Sequence, residues 1–173
     1  GTTQPEEEKI FMDRPAIGKE FPTAEELNLY SNRKVIECIN SDLFDNTDIV
    51  FLALHGKFGE DGRIQSLLEL RGVKYTGTGV TSSAMAMDKN ISKIMFKQHD
   101  ISTPKWFMLK KGNQTELQVD ENIKLQVGYP AVIKPNDEGS TVGLSIVQPD
   151  VEDVQLGKAL SDAFADSDNV MAE

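Results

Sequence analysis

Ile49–Leu54 is an unbroken run of six apolar residues that stops abruptly at His55-Gly56. Such a run is far too short to span a bilayer and does not alternate like a half-wet strand. It predicts a strand buried in a parallel sheet, with ligands gathered where its carboxyl end opens into a loop. The neighbours agree. Arg63–Leu70 reads as a helix with Ile64, Leu67 and Leu68 on one face, Gly72 stands where a C-terminal cap belongs, and Val73–Tyr75 reads as a short strand. Upstream, Ala24–Ile39 reads as a helix with Leu27, Tyr30, Val35, Ile36 and Ile39 inward, and Asp45, Asn46 and Asp48 mark a turn. The first half is therefore expected to be an α/β layer.

The second half has a different grammar. Thr81–Met87 and Ile91–Gln98 read as two helices split near Asp88-Lys89. Pro104 marks a boundary, Lys105–Leu109 reads as a strand, and Gly112–Gln118 as a turn-rich connection. Ala131–Lys134 and Leu144–Val147 read as strands joined by the polar loop Asn136–Gly143. Asp150 is placed to cap a helix running to about Ala165, with Val151, Val154 and Phe164 inward, and Asn169–Ala172 opens a further strand. The expected domains are 1–87, an α/β layer, and 88–173, an α+β region.

Composition excludes several functions. A formal net charge of −10 does not suit binding to a nucleic-acid backbone, though a local basic site for a small phosphate ligand is compatible with it. No apolar run is long enough to be a membrane helix. The one cysteine, Cys38, allows no internal disulfide, which suits a reducing cytoplasm, and is expected to be a buried small apolar side chain. Two histidines and one cysteine are too few and too scattered for a zinc site, so no metal ligands are assigned.

Three segments can carry chemistry. His55-Gly56-Lys57-Phe58-Gly59-Glu60-Asp61-Gly62 follows the predicted strand, and its glycines let the backbone approach a small ligand. Glu60 and Asp61 lie where negative charge favours a helix start, so their expected role is to cap the helix and shape the loop. Lys89 sits at the junction of two helices, where it can be aimed into a cleft. Lys93 and Lys97 read as solvated helix lysines, His99 as a helix end, and Trp106 as strand packing. In the third segment Lys134 ends a strand, and Gly139, Ser140, Thr141 and Gly143 form a hairpin tip rich in backbone donors and hydroxyls. Such a tip can close over a polyphosphate. It is no Walker loop, since the required lysine spacing and the following helix are missing. Asp137 and Glu138 weaken a pure phosphate role and are expected to meet a basic group or a metal-bound face instead.

In this order, HGKFGEDGRIQ, YTGTGVTSSAMAMDK and GYPAVIKPNDEGSTVGLSIV resemble the D-alanine–D-alanine ligase family. The match is strong over Asp48–Lys105 and Gly128–Glu173 and poor before residue 24. The resemblance implies a pre-ATP-grasp-like α/β layer followed by the first part of an ATP-grasp domain. It implies ATP-dependent joining of two D-alanines through an acyl phosphate, for peptidoglycan synthesis. It places His55 near the first D-alanine, Lys89 and Lys134 on ATP phosphates, and Ser140 in the set that closes the loop, with Thr141 beside it. It matches Glu173 to an acidic residue at the adenine-binding hinge. It further implies Mg2+, small-molecule partners only, a cytoplasmic setting and, by analogy, a homodimer.

Departures bear on activity. The family opens with a glycine-rich loop whose glutamate, just before a histidine, holds the first D-alanine. No histidine precedes His55 here. The family's metal ligands and oxyanion-stabilising arginine come from beyond the position of Glu173. The expectation is a chain that lacks both ends of the enzyme and does not ligate alone. Two other readings compete: a D-alanine–D-lactate or other ATP-grasp carboxylate–amine ligase, and a truncated, non-catalytic nucleotide-binding or scaffold module.

Overall fold

Alternation along two strands decides where the larger core lies. In β2 (Ala131–Pro135) the residues Ala131, Ile133 and Pro135 are buried, while Val132 and Lys134 are half-buried on the other face. A computed structural model of the protein describes residues 32–149 and 153–173. It pairs β2 antiparallel with β3 (Ser145–Val147), Ala131 opposite Val147. On its other side β2 pairs with β4 (Asn169–Ala172), which pairs in turn with β1 (Phe107–Lys110), giving the order β1-β4-β2-β3. The strand opened by Asn169 is thus an interior strand, and its Val170, Met171 and Ala172 are all fully buried.

A helix over Asp153–Asp166 crosses between β3 and β4 and lays Leu156, Ala159, Leu160 and Ala163 against Ile133, Val147 and Val170. Burying each leucine contributes roughly 1.5–3 kcal/mol. Small residues let the helix lie close. A Cβ on Gly143 (φ +62°) would come within 2.8 Å of Pro135 Cγ and 3.2 Å of Ala163 Cα. The predicted hairpin and helix both form, with Phe164 packed against this core. Asp150, Val151 and the Val154 side chain lie outside the described residues.

The expected connection Gly112–Gln118 holds a helix that the sequence reading did not anticipate. Thr115 Oγ1 accepts the Gln118 N–H and the Gln118 side chain accepts the Thr115 N–H, a capping box that starts the helix Glu116–Asn122. One π-helical turn, Ile123–Val127, continues it and buries Ile123 completely.

The first half has a smaller core of Ile39, Ile64, Leu68 and Val73, with Val35, Val50, Leu52, Phe58 and Leu67 against it. The helix Asn32–Ile39 is the described part of the one expected over Ala24–Ile39; Leu27 and Tyr30 lie outside the described residues. Ile36 is half-exposed and Cys38 exposed, against expectation, because only Val35 and Ile39 of this turn face the core. The helix Arg63–Arg71 ends on Gly72 in the left-handed conformation, as predicted.

Ile49–Leu54 departs most from expectation. It is extended and meets Tyr75 in one parallel bridge at Val50, with Val50 N–H donating to Lys74 O at 2.8 Å. Val50 and Leu52 face the small core, but Ile49, Phe51 and Leu54 are 58%, 78% and 51% exposed. Among the described residues its backbone bonds to the Val73–Thr76 segment, and Gly59 lies against Leu54. In the middle of the chain, helices Val80–Met87 and Lys89–Gln98 are split at Asp88, whose side chain caps the second by accepting the Ile91 N–H at 2.8 Å.

Candidate functional site

The period of two along β2 sends the Lys134 side chain to the face opposite the helix-packed core. There its ammonium donates to a carboxylate oxygen of Glu173, just past the end of β4. The main chain fixes this approach, since Val132 N–H donates to Glu173 O at 2.6 Å and Glu173 N–H donates back at 3.0 Å.

Lys89 arrives from the first turn of the helix Lys89–Gln98. Its N–H donates to Asn136 O at 3.1 Å, and its ammonium to Glu138 O at 2.5 Å and Asn136 O at 3.3 Å. Asn136 is buried, and its Oδ1 accepts the Asn90 N–H at 2.9 Å. The loop after β2 is therefore anchored at its root to the start of this helix. Burial, then repulsion by the Lys134 charge, pushes the Lys89 ammonium below its usual range. The two cations thus lie within electrostatic reach of each other, although they come from separate segments.

Glu173 serves a second cation. Lys93 is 7% exposed, and its ammonium meets Glu173 Oε2 at 2.5 Å, Thr103 Oγ1 at 3.0 Å and Pro104 O at 3.0 Å. It also lies 5.1 Å from the centre of the Trp106 ring, whose Nε1–H donates to Asn90 Oδ1. Burial alone would raise the Glu173 carboxyl, but hydrogen bonds from Lys134 and Lys93 outweigh it and hold the group below the carboxylate range. The reading of Lys93 as solvated is overturned. It stands four residues after Lys89, hence on the same helix face, and that spacing was the available signal. Lys97 is exposed, as expected, and His99 forms the helix end.

The loop at His55–Gly62 is built by its own carboxylates. Gly56 N–H donates to Glu60 Oε2 at 2.6 Å, while Asp61 accepts Phe58 N–H at 2.8 Å and Arg63 N–H at 3.1 Å. Glu60 and Asp61 therefore shape the loop, and Asp61 also accepts the first N–H of the helix Arg63–Arg71, whose N-cap is Gly62. This loop touches the hairpin tip, for a Cβ on Gly139 would lie 3.2 Å from Gly56 Cα. Each of the two loops holds a non-glycine residue in the left-handed region, Phe58 (φ 72°) and Ser140 (φ 52°). Such conformations are costly and gather at ligand-binding sites. Lys57, which sequence reasoning did not single out, joins the loops by ion pairs to Glu138 and to Asp137 at 3.4 Å. The Glu138 carboxylate, acting against burial, raises its ammonium above the usual range. His55, Ser140 and Thr141 are exposed on the two loops, and no hydrogen bond draws them to the lysines.

Known proteins give this arrangement a family. The model described as "D-ala D-ala ligase N-terminus" matches residues 4–78, and "D-ala D-ala ligase C-terminus" matches 95–173. A D-alanine–D-alanine ligase from Clostridium beijerinckii is 36% identical over 165 residues, 86% of this chain and 52% of that protein. The crystal structure of a D-alanine–D-alanine ligase from Bacillus anthracis aligns with a TM-score of 0.63 at 37% identity, covering 83% of this chain and 42% of that one. The VanG D-Ala:D-Ser ligase from Enterococcus faecalis aligns with a TM-score of 0.63 at 36% identity, over 73% of this chain and 35% of that one. The chain thus spans about half the length of the Clostridium relative, or 52%.

Proposed function

The chain belongs to the D-alanine–D-alanine ligase family, and from that membership we propose that it supplies the first-substrate and phosphate-binding parts of an enzyme that joins two D-alanines at the expense of ATP. The observation that supports the reading is that Lys134, near the end of β2, and the Lys89 ammonium, on the Asn136 and Glu138 carbonyls just after β2, flank the root of one donor-rich loop. Two cations in one place repel, and a polyphosphate relieves that repulsion.

When bound, ATP would supply the phosphoryl group that activates the first D-alanine's carboxylate as an acyl phosphate. This chain's residues bind and orient. Lys89 is partly desolvated, so its ammonium gains more from an anion than an exposed lysine does. Lys134 would turn from Glu173 toward the phosphates, while Lys93 keeps the Glu173 carboxylate neutralised. Glu173 would then face the adenine. Ser140 and Thr141 offer hydroxyls on the loop that shields the reacting groups from water, and His55 offers a ring nitrogen near the first D-alanine.

Mg2+ is implied by the family, yet no group of three or more His, Cys, Asp or Glu side chains among the described residues could hold a metal ion, so no step is assigned to it. The proposed division between residues 1–87 and 88–173 lies in the stretch between the two family matches, which end at 78 and begin at 95. No helix among the described residues is long and apolar enough to cross a membrane. A cytoplasmic setting and a homodimer are read from the family alone.

The test is ATP- and D-alanine-dependent phosphate release by a chimera in which this chain replaces the matching residues of the Clostridium beijerinckii ligase, with D-serine and D-lactate as competing second substrates. Formation of D-alanyl-D-alanine supports the reading. Nucleotide binding without ligation under any substrate pair would favour a non-catalytic module.

A further inference from the structure

Among the described residues, Lys57 makes the ion pairs that join the two loops of the site. Lys57 donates to a Glu138 carboxylate oxygen, lies 3.4 Å from Asp137 Oδ2, and donates to the Asp166 carbonyl at 3.0 Å. That carbonyl belongs to the last residue of the helix Asp153–Asp166, where unpaired carbonyls attract a cation. Lys57 therefore touches the hairpin loop, the helix that packs beneath its sheet, and its own loop. Beside it, Gly139 rests on Gly56 so closely that a Cβ would intrude. Ser140 and Thr141 at the tip are exposed. At the loop's root, Lys89 and Asn136 fix residues 136–138. The segment between root and tip has Lys57 as its charged attachment to the first half of the molecule.

We propose that Lys57 is a positioning residue: its ion pairs with Glu138 and Asp137 latch the 136–143 loop onto the His55–Gly62 loop. The latch explains two acidic residues in a loop otherwise suited to phosphate. Asp137 and Glu138 face Lys57, which offsets part of their charge, while both still act on the Lys89 ammonium. It also sets loop closure by ionic strength, because the Lys57 and Asp137 side chains are 36% and 46% exposed. The consequence for nucleotide rests on the function proposed above; the latch itself does not.

Amide hydrogen exchange over residues 137–142 of the purified protein reads loop opening directly. In Lys57→Met these amides should exchange about fivefold faster, the upper end for one partly exposed ion pair. Amides of β2 and β4 should be unchanged, which shows that the fold is intact. Lys57→Arg should keep most of the protection. Lys57→Glu should lose it, and Lys57→Glu with Glu138→Lys should recover part of it. Added salt should speed exchange in the wild type and leave Lys57→Met unaffected. Unchanged exchange in Lys57→Met, or no recovery in the charge swap, would overturn the latch. A non-hydrolysable ATP analogue titrated into the same variants separates the two claims. Faster exchange with weaker analogue binding supports both. Faster exchange with unchanged binding keeps the latch and removes the loop from the nucleotide reading.

Discussion

Replacing Lys93 by methionine removes a buried charge while keeping most of the packed stem. The ammonium it removes meets Glu173 Oε2 at 2.5 Å and also donates to Thr103 Oγ1 and Pro104 O. Breaking a buried ion pair from one side costs about 3–5 kcal/mol, because the other charge is left desolvated. Glu173 would keep Lys134, so the cost should fall near the bottom of that range, about 3 kcal/mol. Urea unfolding of the variant and wild type at neutral pH measures it. The acid side gives a second check. The Glu173 carboxyl is held low in the folded state, so its contribution to stability is present above the unfolded value of 4.5. It is lost as pH falls through the lower folded value. With one of two partners gone, Lys93→Met should lose less stability between neutral and acid pH than the wild type does. A change at neutral pH below about 0.5 kcal/mol, the size ordinary for surface positions, would show that Lys93 is solvated and that the pair does not exist in solution.

Lys89→Met should separate stability from binding. Its ammonium is held below the usual lysine range, so the charged form destabilises the fold at neutral pH, and that penalty fades as pH rises through the folded value. Relief of that penalty offsets the lost hydrogen bonds to Asn136 O and Glu138 O, so the variant should melt close to the wild type. Its affinity for a non-hydrolysable ATP analogue should fall about tenfold to a hundredfold, the loss expected for one charge-assisted hydrogen bond. A calorimetric melt paired with a binding titration reads both. Gly143→Ala forces a left-handed alanine whose Cβ meets Pro135 Cγ at 2.8 Å, and should lower stability by about 1–3 kcal/mol in urea unfolding. Unchanged stability would mean that the hairpin tip relaxes freely.

Local signals explain what was legible in the chain. The break at Asp88 needs only one capping side chain, and Gly72 needs only a left-handed helix end. The Asn136–Gly143 hairpin follows from two short apolar runs around a polar glycine loop. The helix Glu116–Asn122 was also written locally, as Thr115 with Gln118 three residues on, but Gly112 and Asn113 just before it read as a turn. Other features depend on distant partners. Exposure of Phe51 is decided by which segments flank it, and its apolar character says nothing of that. Burial of Lys93 depends on Glu173, Thr103 and Trp106, brought together only when β4 pairs with β1 and β2. For Lys57, the loop sequence shows a cation but not the acidic pair it will meet.

The most direct measurement is a structure of the protein with a non-hydrolysable ATP analogue. The account predicts that the Lys89 and Lys134 ammoniums both lie within hydrogen-bond distance of the analogue's phosphates, with Lys134 withdrawn from Glu173 and Lys93 still upon it. A bound analogue whose phosphates touch neither lysine would contradict it.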